Sequence, residues 1–178
     1  TQAIEAYWSK NSQPISDTYA LAAVRKIFEN LEAACNGGGV EARTAMAQGS
    51  LLSGLAFCNT KTTICHSLSY PMSAYFNVPH GQAVSITLAP VLLWNAEAIS
   101  AKLPPLIEAM GTESLEDAAY RIKALMARIG LATDLRSLGL KKKDIELILE
   151  EGFYAERADN NPRPVTTDDA HAILQSIF

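Results

Sequence analysis

The sequence predicts an all-α fold, a bundle of about seven to nine helices. Three observations lead to this prediction. Apolar side chains recur at the 3.6-residue period of a helix along nearly the whole chain, and no segment shows the alternation of a half-buried strand. The chain has 178 residues, of which 48% are hydrophobic and 19% charged. This composition provides for one hydrophobic core and excludes disorder, so we predict a single helical domain over residues 1–178.

The first predicted helices lie at the N-terminal end. The segment AIEAYWS (3–9) already follows helical spacing with no capping residue before it. We therefore expect the sequence to begin within a helix and to be a piece of a longer polypeptide chain. A strong amphipathic helix follows Pro14 and ends at the glycines 37–39. Because these glycines follow a helix and not a strand, a turn is favoured over a phosphate-binding loop.

Proline and threonine residues divide the middle of the chain. A long helix rich in small residues is predicted for 40–59. The next helix, capped by a threonine at 62–63, should break or kink at Pro71, because proline has no amide hydrogen and clashes with the preceding turn. Another apolar helix should start near His80 and kink at Pro90.

The C-terminal third is predicted to consist of amphipathic helices. They cover about 106–110, 115–129 and 144–153. Thr166 or Thr167 with the two aspartates that follow is typical of a helix N-terminus, so a last helix should run to the C-terminus.

Charge and cysteine content exclude several classes of protein. The chain has 15 Lys+Arg and 19 Asp+Glu, a net charge of -4, without a basic block, so we expect no nucleic-acid partner. No apolar run reaches the roughly 18 to 20 residues that span a bilayer, so we expect no membrane partner. The three cysteines (Cys35, Cys58 and Cys65) lack CxxC spacing, which argues against a disulfide framework and favours a reducing cytoplasm.

Two of the three histidines, His66 and His80, lie fourteen residues apart in HSLSYPMSAYFNVPHG. Neutral imidazole is a common ligand of zinc and ferrous iron. On one straight helix the pair would be about 20 Å apart at ~1.5 Å per residue, so a shared ion requires the chain to reverse. Pro71 and the turn residues 77–79 supply that reversal. The alternative is a core histidine at 66 and a helix-start histidine at 80, since a catalytic metal usually takes three protein ligands.

A family resemblance rests on motifs around these histidines. Residues 46–95 include GLAFCNT before the first histidine, the fourteen-residue interval, PHG at the second and an apolar helix ending in Asn95; AIEAYWS and NPRPVTTDD match at the two ends. On these motifs the whole chain resembles the C-terminal helical domain of iron-containing (type III) alcohol dehydrogenases, a dehydroquinate synthase-like fold. The family's N-terminal nucleotide-binding α/β domain is not in this chain.

The resemblance implies a metal site with several ligands. His66 and His80 match two family histidines, Gln2 stands where the family has a third, and the family's aspartate would precede Thr1. An amide oxygen is a poorer ligand than imidazole for iron or zinc. We therefore expect no bound metal and no activity for this chain alone, and a divalent metal (Fe²⁺ or Zn²⁺) with NAD(P) in the full-length protein.

Two further residues gain candidate roles from the resemblance. Tyr70 stands where many family members have a histidine near the substrate, and its phenol could hydrogen-bond a substrate oxygen or relay a proton; a packed aromatic is the alternative. The chain looks most similar to the phosphonate-associated branch, which reduces phosphonoacetaldehyde to 2-hydroxyethylphosphonate. Lys61 could bind the phosphonate dianion, with a solvated loop lysine as the alternative.

The implied activity is interconversion of a small aldehyde and its alcohol, with hydride passing to or from NAD(P) and the metal polarising the carbonyl oxygen. Three alternatives stay open. They are a dehydrogenase of simple short-chain alcohols, a non-catalytic helical module with a decayed metal site, and a structural bundle that leaves His66 and His80 far apart. The oligomeric state is also open, a homodimer being one alternative.

Overall fold

The computed structural model of the chain describes residues 1–153 and 158–178. Over these residues it contains helices and no strand, which confirms the all-α prediction. The helices are α1 (Gln2–Trp8), α2 (Pro14–Cys35), α3 (Val40–Thr60), α4 (Ile64–Phe76), α5 (His80–Ser85), α6 (Leu88–Asn95), α7 (Leu103–Met110), α8 (Leu115–Arg128), α9 (Asp144–Gly152) and α10 (Thr167–Gln175), with a 3₁₀ turn at Ser100–Lys102.

The short helix α1 lies at the centre of the molecule. Every residue from Ala3 to Trp8 is at most 3% exposed, as expected of a helix that is apolar on nearly every side. It packs against both α2 and α3. The Tyr7 hydroxyl donates to the Lys102 carbonyl (3.1 Å) and Lys102 Nζ donates to the Tyr7 carbonyl (2.8 Å), which ties α1 to the 3₁₀ turn. Side chains of α1 therefore reach several elements at once.

Helices α2 and α3 pack along each other and are joined by the three glycines. Gly37 has φ +86°, a conformation that favours glycine, so the turn interpretation is confirmed. At Gly49 an added Cβ would lie 2.9 Å from Ile27 Cγ1, so glycine permits the close approach of the two helices.

Of the break or kink predicted at Pro71, the break is wrong, because helix α4 continues through Pro71 to Phe76. The missing amide hydrogen costs one backbone hydrogen bond, but contacts with α9 support the helix at this point. Pro71 packs directly on Gly152, and the Ser67 hydroxyl donates to the Gly152 carbonyl. Tertiary packing thus overrides the local effect of proline.

The apolar helix after His80 is divided into α5 and α6 by a turn at Ile86–Thr87, four residues before the kink position expected at Pro90. The displacement has a direct cause. Pro90 cannot donate to the carbonyl of Ile86 and its ring crowds that carbonyl, so the irregular backbone lies one turn upstream of the proline itself. Most of α6 is buried, whereas α5 is buried only at Ala83 and Val84.

The C-terminal helices close the core from the other side. α8 packs on α6 and α7, while α9 packs on α4 and α10. Of the two threonines that the sequence offered as the cap, Thr166 is the N-cap of α10. Its hydroxyl accepts from the Asp169 amide (3.2 Å), and the Asp169 carboxylate accepts from the Thr166 amide (2.9 Å). The helix ends at Gln175, three residues before the C-terminus.

Within the described parts of the chain, no single helix is long and apolar enough to cross a membrane. One pair, His80–Asn95 with Ser100–Met110, passes a combined test of length and composition but is bent by 115° at its break.

Candidate metal-binding site

The chain reverses direction between His66 and His80 and brings their rings together. Asn77, the C-cap of α4, is in the left-handed conformation (φ 53°, ψ 28°), the Val78 amide donates to the Met72 carbonyl (3.2 Å), and Pro79 is the N-cap of α5. The two imidazole centroids lie 5.5 Å apart with an interplanar angle of 64°. Two nitrogens on one tetrahedral zinc ion are about 3.3 Å apart, which this ring separation accommodates. A bundle with distant histidines is therefore excluded.

Tyr70 joins the two histidines. One helical turn after His66 on α4, its ring stacks on His80 with centroids 5.9 Å apart and an angle of 15°. The side chain is 37% exposed, so it lies at the edge of the cluster and not in the core. The three rings form what we call the ring cluster (His66, Tyr70 and His80). The stacking also limits the orientations open to the His80 ring.

The residue that sequence reasoning missed is Glu5. This glutamate is fully buried on α1, and its Oε2 is hydrogen-bonded to His66 Nδ1. Its Oε1 accepts from the Thr63 hydroxyl (2.7 Å) and from the Cys65 amide (2.7 Å). Burial alone would raise the pKa of Glu5, but the hydrogen bond and charge of His66, with the Thr63 hydrogen bonds, together lower it below its ordinary value. Glu5 is therefore an ionised carboxylate inside the core.

Trp8 and Thr63 complete the polar network around Glu5. The Trp8 indole N–H donates to Thr63 Oγ1 at 2.9 Å, so one hydroxyl both accepts and donates. Of the two threonines predicted to cap α4, Thr63 occupies the N-cap position, but its hydroxyl bonds within this network and makes no capping bond. Burial, followed by the charge of Glu5, raises the pKa of the neighbouring Cys65 thiol well above its ordinary value, so Cys65 is uncharged.

His80 is more exposed to solvent than His66, and its electrostatics suit a metal ligand. Partial burial and then the charge of His66 lower its pKa below the ordinary value of imidazole. The His80 ring is therefore neutral at neutral pH and retains a lone pair for a metal ion or a hydrogen-bond donor.

Lys61 lies at the surface where α3 ends, and its backbone is strained. Its φ of 62° and ψ of 175° fall in a region that residues other than glycine rarely adopt, at a cost of about 1–3 kcal/mol. Asn160 holds this conformation: its side-chain amide donates to the carbonyls of Thr60 and Thr62, both at 3.0 Å. The Ser9 hydroxyl also donates to the Thr60 carbonyl (2.8 Å). Lys61 thus lies in the exposed connection between α3 and α4, on a backbone held by hydrogen bonds.

Gln2 is half-buried at the first position of α1, one turn before Glu5. Its neighbour Thr1 shares a hydrogen bond with Ser85 on α5 (3.0 Å between hydroxyl oxygens). Beside them an apolar cavity of about 270 Å³ is lined by residues of α2, α5 and α8, including Phe28, Gly81 and Met126. The start of α1 therefore meets the end of α5 beside the cavity.

The donor set fits part of a metal centre. His66 and His80 have the chemistry and separation of two ligands of one ferrous or zinc ion. Among residues 1–153 and 158–178, however, no group of three or more His, Cys, Asp or Glu side chains could hold an ion. The complete set of ligands would include residues outside this chain or the amide oxygen of Gln2.

Comparison with known proteins identifies a family over the full chain. The sequence profile of the Fe-containing alcohol dehydrogenase family, C-terminal, matches residues 1–178. The 1,3-propanediol dehydrogenase of Klebsiella pneumoniae is 34% identical over 187 residues, covering 100% of this chain and 48% of that protein. The chain thus spans about half the length of the curated relatives it matches.

Solved structures give the same result. The crystal structure of a 1,3-propanediol oxidoreductase superimposes with a TM-score of 0.94 at 33% identity, covering 100% of this chain and 49% of that one. The sulfoacetaldehyde reductase of Bifidobacterium kashiwanohense, solved in complex with NAD⁺, superimposes with a TM-score of 0.91 at 32% identity, covering 99% and 47%.

Proposed function

Because the chain belongs to the iron-containing alcohol dehydrogenase family, we propose that it is the catalytic helical half of an NAD(P)-linked alcohol dehydrogenase or aldehyde reductase. The observation that supports this most is the convergence of His66 and His80 at 5.5 Å. A nucleotide-binding half, located in the cytoplasm with the rest of the protein, would supply the nicotinamide and the missing ligands.

The ring cluster has a defined part in this proposal. His66 and His80 hold a divalent ion, Fe²⁺ or Zn²⁺, with Gln2 as a weak further ligand; the ion, when bound, supplies Lewis-acid polarisation of the substrate oxygen. Tyr70, at the exposed edge of the cluster, hydrogen-bonds the substrate oxygen or relays its proton. The stack of Tyr70 on His80 holds both rings in place.

The substrate we propose is an aldehyde with an anionic end, phosphonoacetaldehyde, with Lys61 as the group that binds its phosphonate. Two observations favour this class. The strained backbone at Lys61 is held by Asn160 and Ser9, as expected for a positioned side chain. A structural relative at 32% identity is a sulfoacetaldehyde reductase, whose substrate by name combines an aldehyde with a sulfonate.

A neutral short-chain alcohol is the second candidate. The relative that is 34% identical is a 1,3-propanediol dehydrogenase. The cavity beside Gly81 is lined almost wholly by apolar side chains, which suits an uncharged substrate chain better than a dianion.

Replacement of Lys61 by methionine in the full-length protein distinguishes these candidates. With phosphonoacetaldehyde the KM should rise about tenfold or more, since a charge-assisted hydrogen bond contributes about 1.5–3 kcal/mol. With butanal the KM should change little. Lys123→Met, at an exposed position of α8, is the matched control and should leave both KM values unchanged.

Equal effects of Lys61→Met on both aldehydes would contradict the anionic substrate and leave the neutral one. The full-length protein should be assayed with added iron, added zinc and no metal. If it turns over no aldehyde or alcohol with NAD(P) under any of these conditions, the proposed enzymatic activity is contradicted and a helical module with a decayed metal site is favoured.

A further inference from the structure

The hydrogen bonds of Glu5 determine more than the position of the His66 ring. Both carboxylate oxygens are used: Oε1 by the Thr63 hydroxyl and the Cys65 amide, Oε2 by His66 Nδ1. The Cys65 amide belongs to the first turn of α4 and can only donate. The carboxylate of Glu5, on α1, is therefore held in place by hydrogen bonds from α4, the helix that carries His66.

We propose that Glu5 is a positioning residue that locks His66 in the tautomer with the proton on Nδ1. The Glu5 Oε2 faces His66 Nδ1, and a carboxylate is a weaker base than imidazole, so the hydrogen between these two atoms belongs to the nitrogen. The other nitrogen, Nε2, then keeps its lone pair for a ligand. The use of Nε2 as a metal ligand rests on the proposed function. The tautomer does not, because it follows from the contact between Glu5 and His66.

The same hydrogen bonds predict how the side chain of a Glu5→Gln variant is oriented. Since the Cys65 amide must donate, the oxygen of the new side-chain amide has to occupy the Oε1 position. Its NH₂ group then faces His66 Nδ1, which has to accept, and the ring proton moves to Nε2. A substitution that changes almost no volume should therefore invert the tautomer and block the lone pair of Nε2.

Nitrogen NMR of the metal-free full-length protein with ¹⁵N-labelled histidine tests this directly. The spectrum is recorded at about pH 8, where an ordinary imidazole is neutral, and His66 is assigned from its absence in His66→Gln. Wild-type His66 should show a protonated Nδ1 and an unprotonated Nε2. Two protonated nitrogens, or a proton on Nε2 alone, would overturn the proposal.

The variant gives a second, independent result. Glu5→Gln should show the proton on Nε2, while the control Glu108→Gln, at an exposed pair with Arg25, should leave the His66 spectrum unchanged. A Glu5→Gln protein that keeps the proton on Nδ1 would show that Glu5 does not set the tautomer. If this variant does not fold, the wild-type spectrum still decides whether the Nδ1–H tautomer is present.

Zinc affinity separates this inference from the proposed function. In the full-length protein, Glu5→Gln should bind Zn²⁺ at least about tenfold more weakly in a chelator-competition titration, the usual effect of losing a group that orients a metal ligand. Unchanged affinity in a variant with the inverted tautomer would contradict a role for Nε2 as the ligand. If wild-type His66 has the proton on Nδ1 but the protein binds no metal, the positioning role of Glu5 is supported and the proposed metal-dependent activity is contradicted.

Discussion

At the residue scale, the centre of the molecule depends on one hydroxyl. Thr63 Oγ1 accepts from the Trp8 indole at 2.9 Å and donates to Glu5 at 2.7 Å. Thr63 and Glu5 are fully buried and Trp8 is 2% exposed, so none of them can exchange its partner for water. A buried polar group that loses its partner bears the full cost of its desolvation.

Thr63→Val should therefore destabilise the protein although it preserves shape and branching. Valine removes two buried hydrogen bonds and leaves the indole N–H without an acceptor, at an expected cost of about 1–3 kcal/mol in the free energy of unfolding. Urea denaturation followed by circular dichroism measures the loss. Thr18→Val, at an exposed position of α2, is the control and should stay within about 0.5 kcal/mol. Equal stabilities of the two variants would contradict the role given to the Thr63 network.

At the element scale, α4 stays helical through Pro71 because α9 approaches it at a glycine. A Cβ added at Gly152 would lie 2.8 Å from Pro71 Cγ and 3.0 Å from the Ser67 carbonyl oxygen. One residue without a side chain thus allows α9 to pack on α4 at Pro71, on the helix that carries His66 and Tyr70 of the ring cluster.

Alanine substitutions at two helical glycines should change the stability of the protein in opposite directions. Gly152→Ala should destabilise the protein by about 1–3 kcal/mol, because its methyl group overpacks the α4–α9 contact. Gly54→Ala, in the interior of α3 where a Cβ meets nothing within 4 Å, should stabilise it by about 0.5–1 kcal/mol. Thermal unfolding of both variants checks the pair, and a destabilised Gly54→Ala or a neutral Gly152→Ala would contradict the packing described.

The capping box of α10 should give a local pH dependence. The Thr166 hydroxyl first and its amide second lower the pKa of Asp169. A lowered folded-state pKa means that the stabilisation is present above the unfolded value, about 3.9, and is lost as the pH falls through the folded value. Asp169→Asn, which keeps an acceptor without the charge, should therefore be less stable than wild type near pH 6 and converge with it near pH 2. A difference that is constant with pH would contradict this account.

At the scale of the whole molecule, most helices could be predicted from the sequence because apolar side chains recur at the helical period, and the cap at 166 or 167 followed from the threonine side chains. Pro71 shows why a local rule fails: the support comes from Gly152, which is 81 residues away in sequence. At Pro90 the error is smaller. The helix is interrupted at Ile86, whose carbonyl receives no hydrogen bond from Pro90, and not at the proline itself.

The candidate site was predictable only in part. The spacing of His66 and His80, with a proline turn between them, indicated their convergence. Glu5 could not be identified, because one glutamate in a short helix usually faces solvent. The available signal was its surroundings: the residues on both sides of it in AIEAYW are apolar, and a helix that is apolar all round is buried with any carboxylate it carries.

The proposal that His66 and His80 bind one ion is tested by metal analysis of four full-length proteins. These are wild type, His66→Gln, His80→Gln and the control His171→Gln, whose histidine pairs with Glu146 on the surface (3.3 Å). Wild type and His171→Gln, loaded with iron or zinc and desalted, should retain about one ion per chain, and the other two almost none. Equal metal content in all four proteins would contradict the proposal.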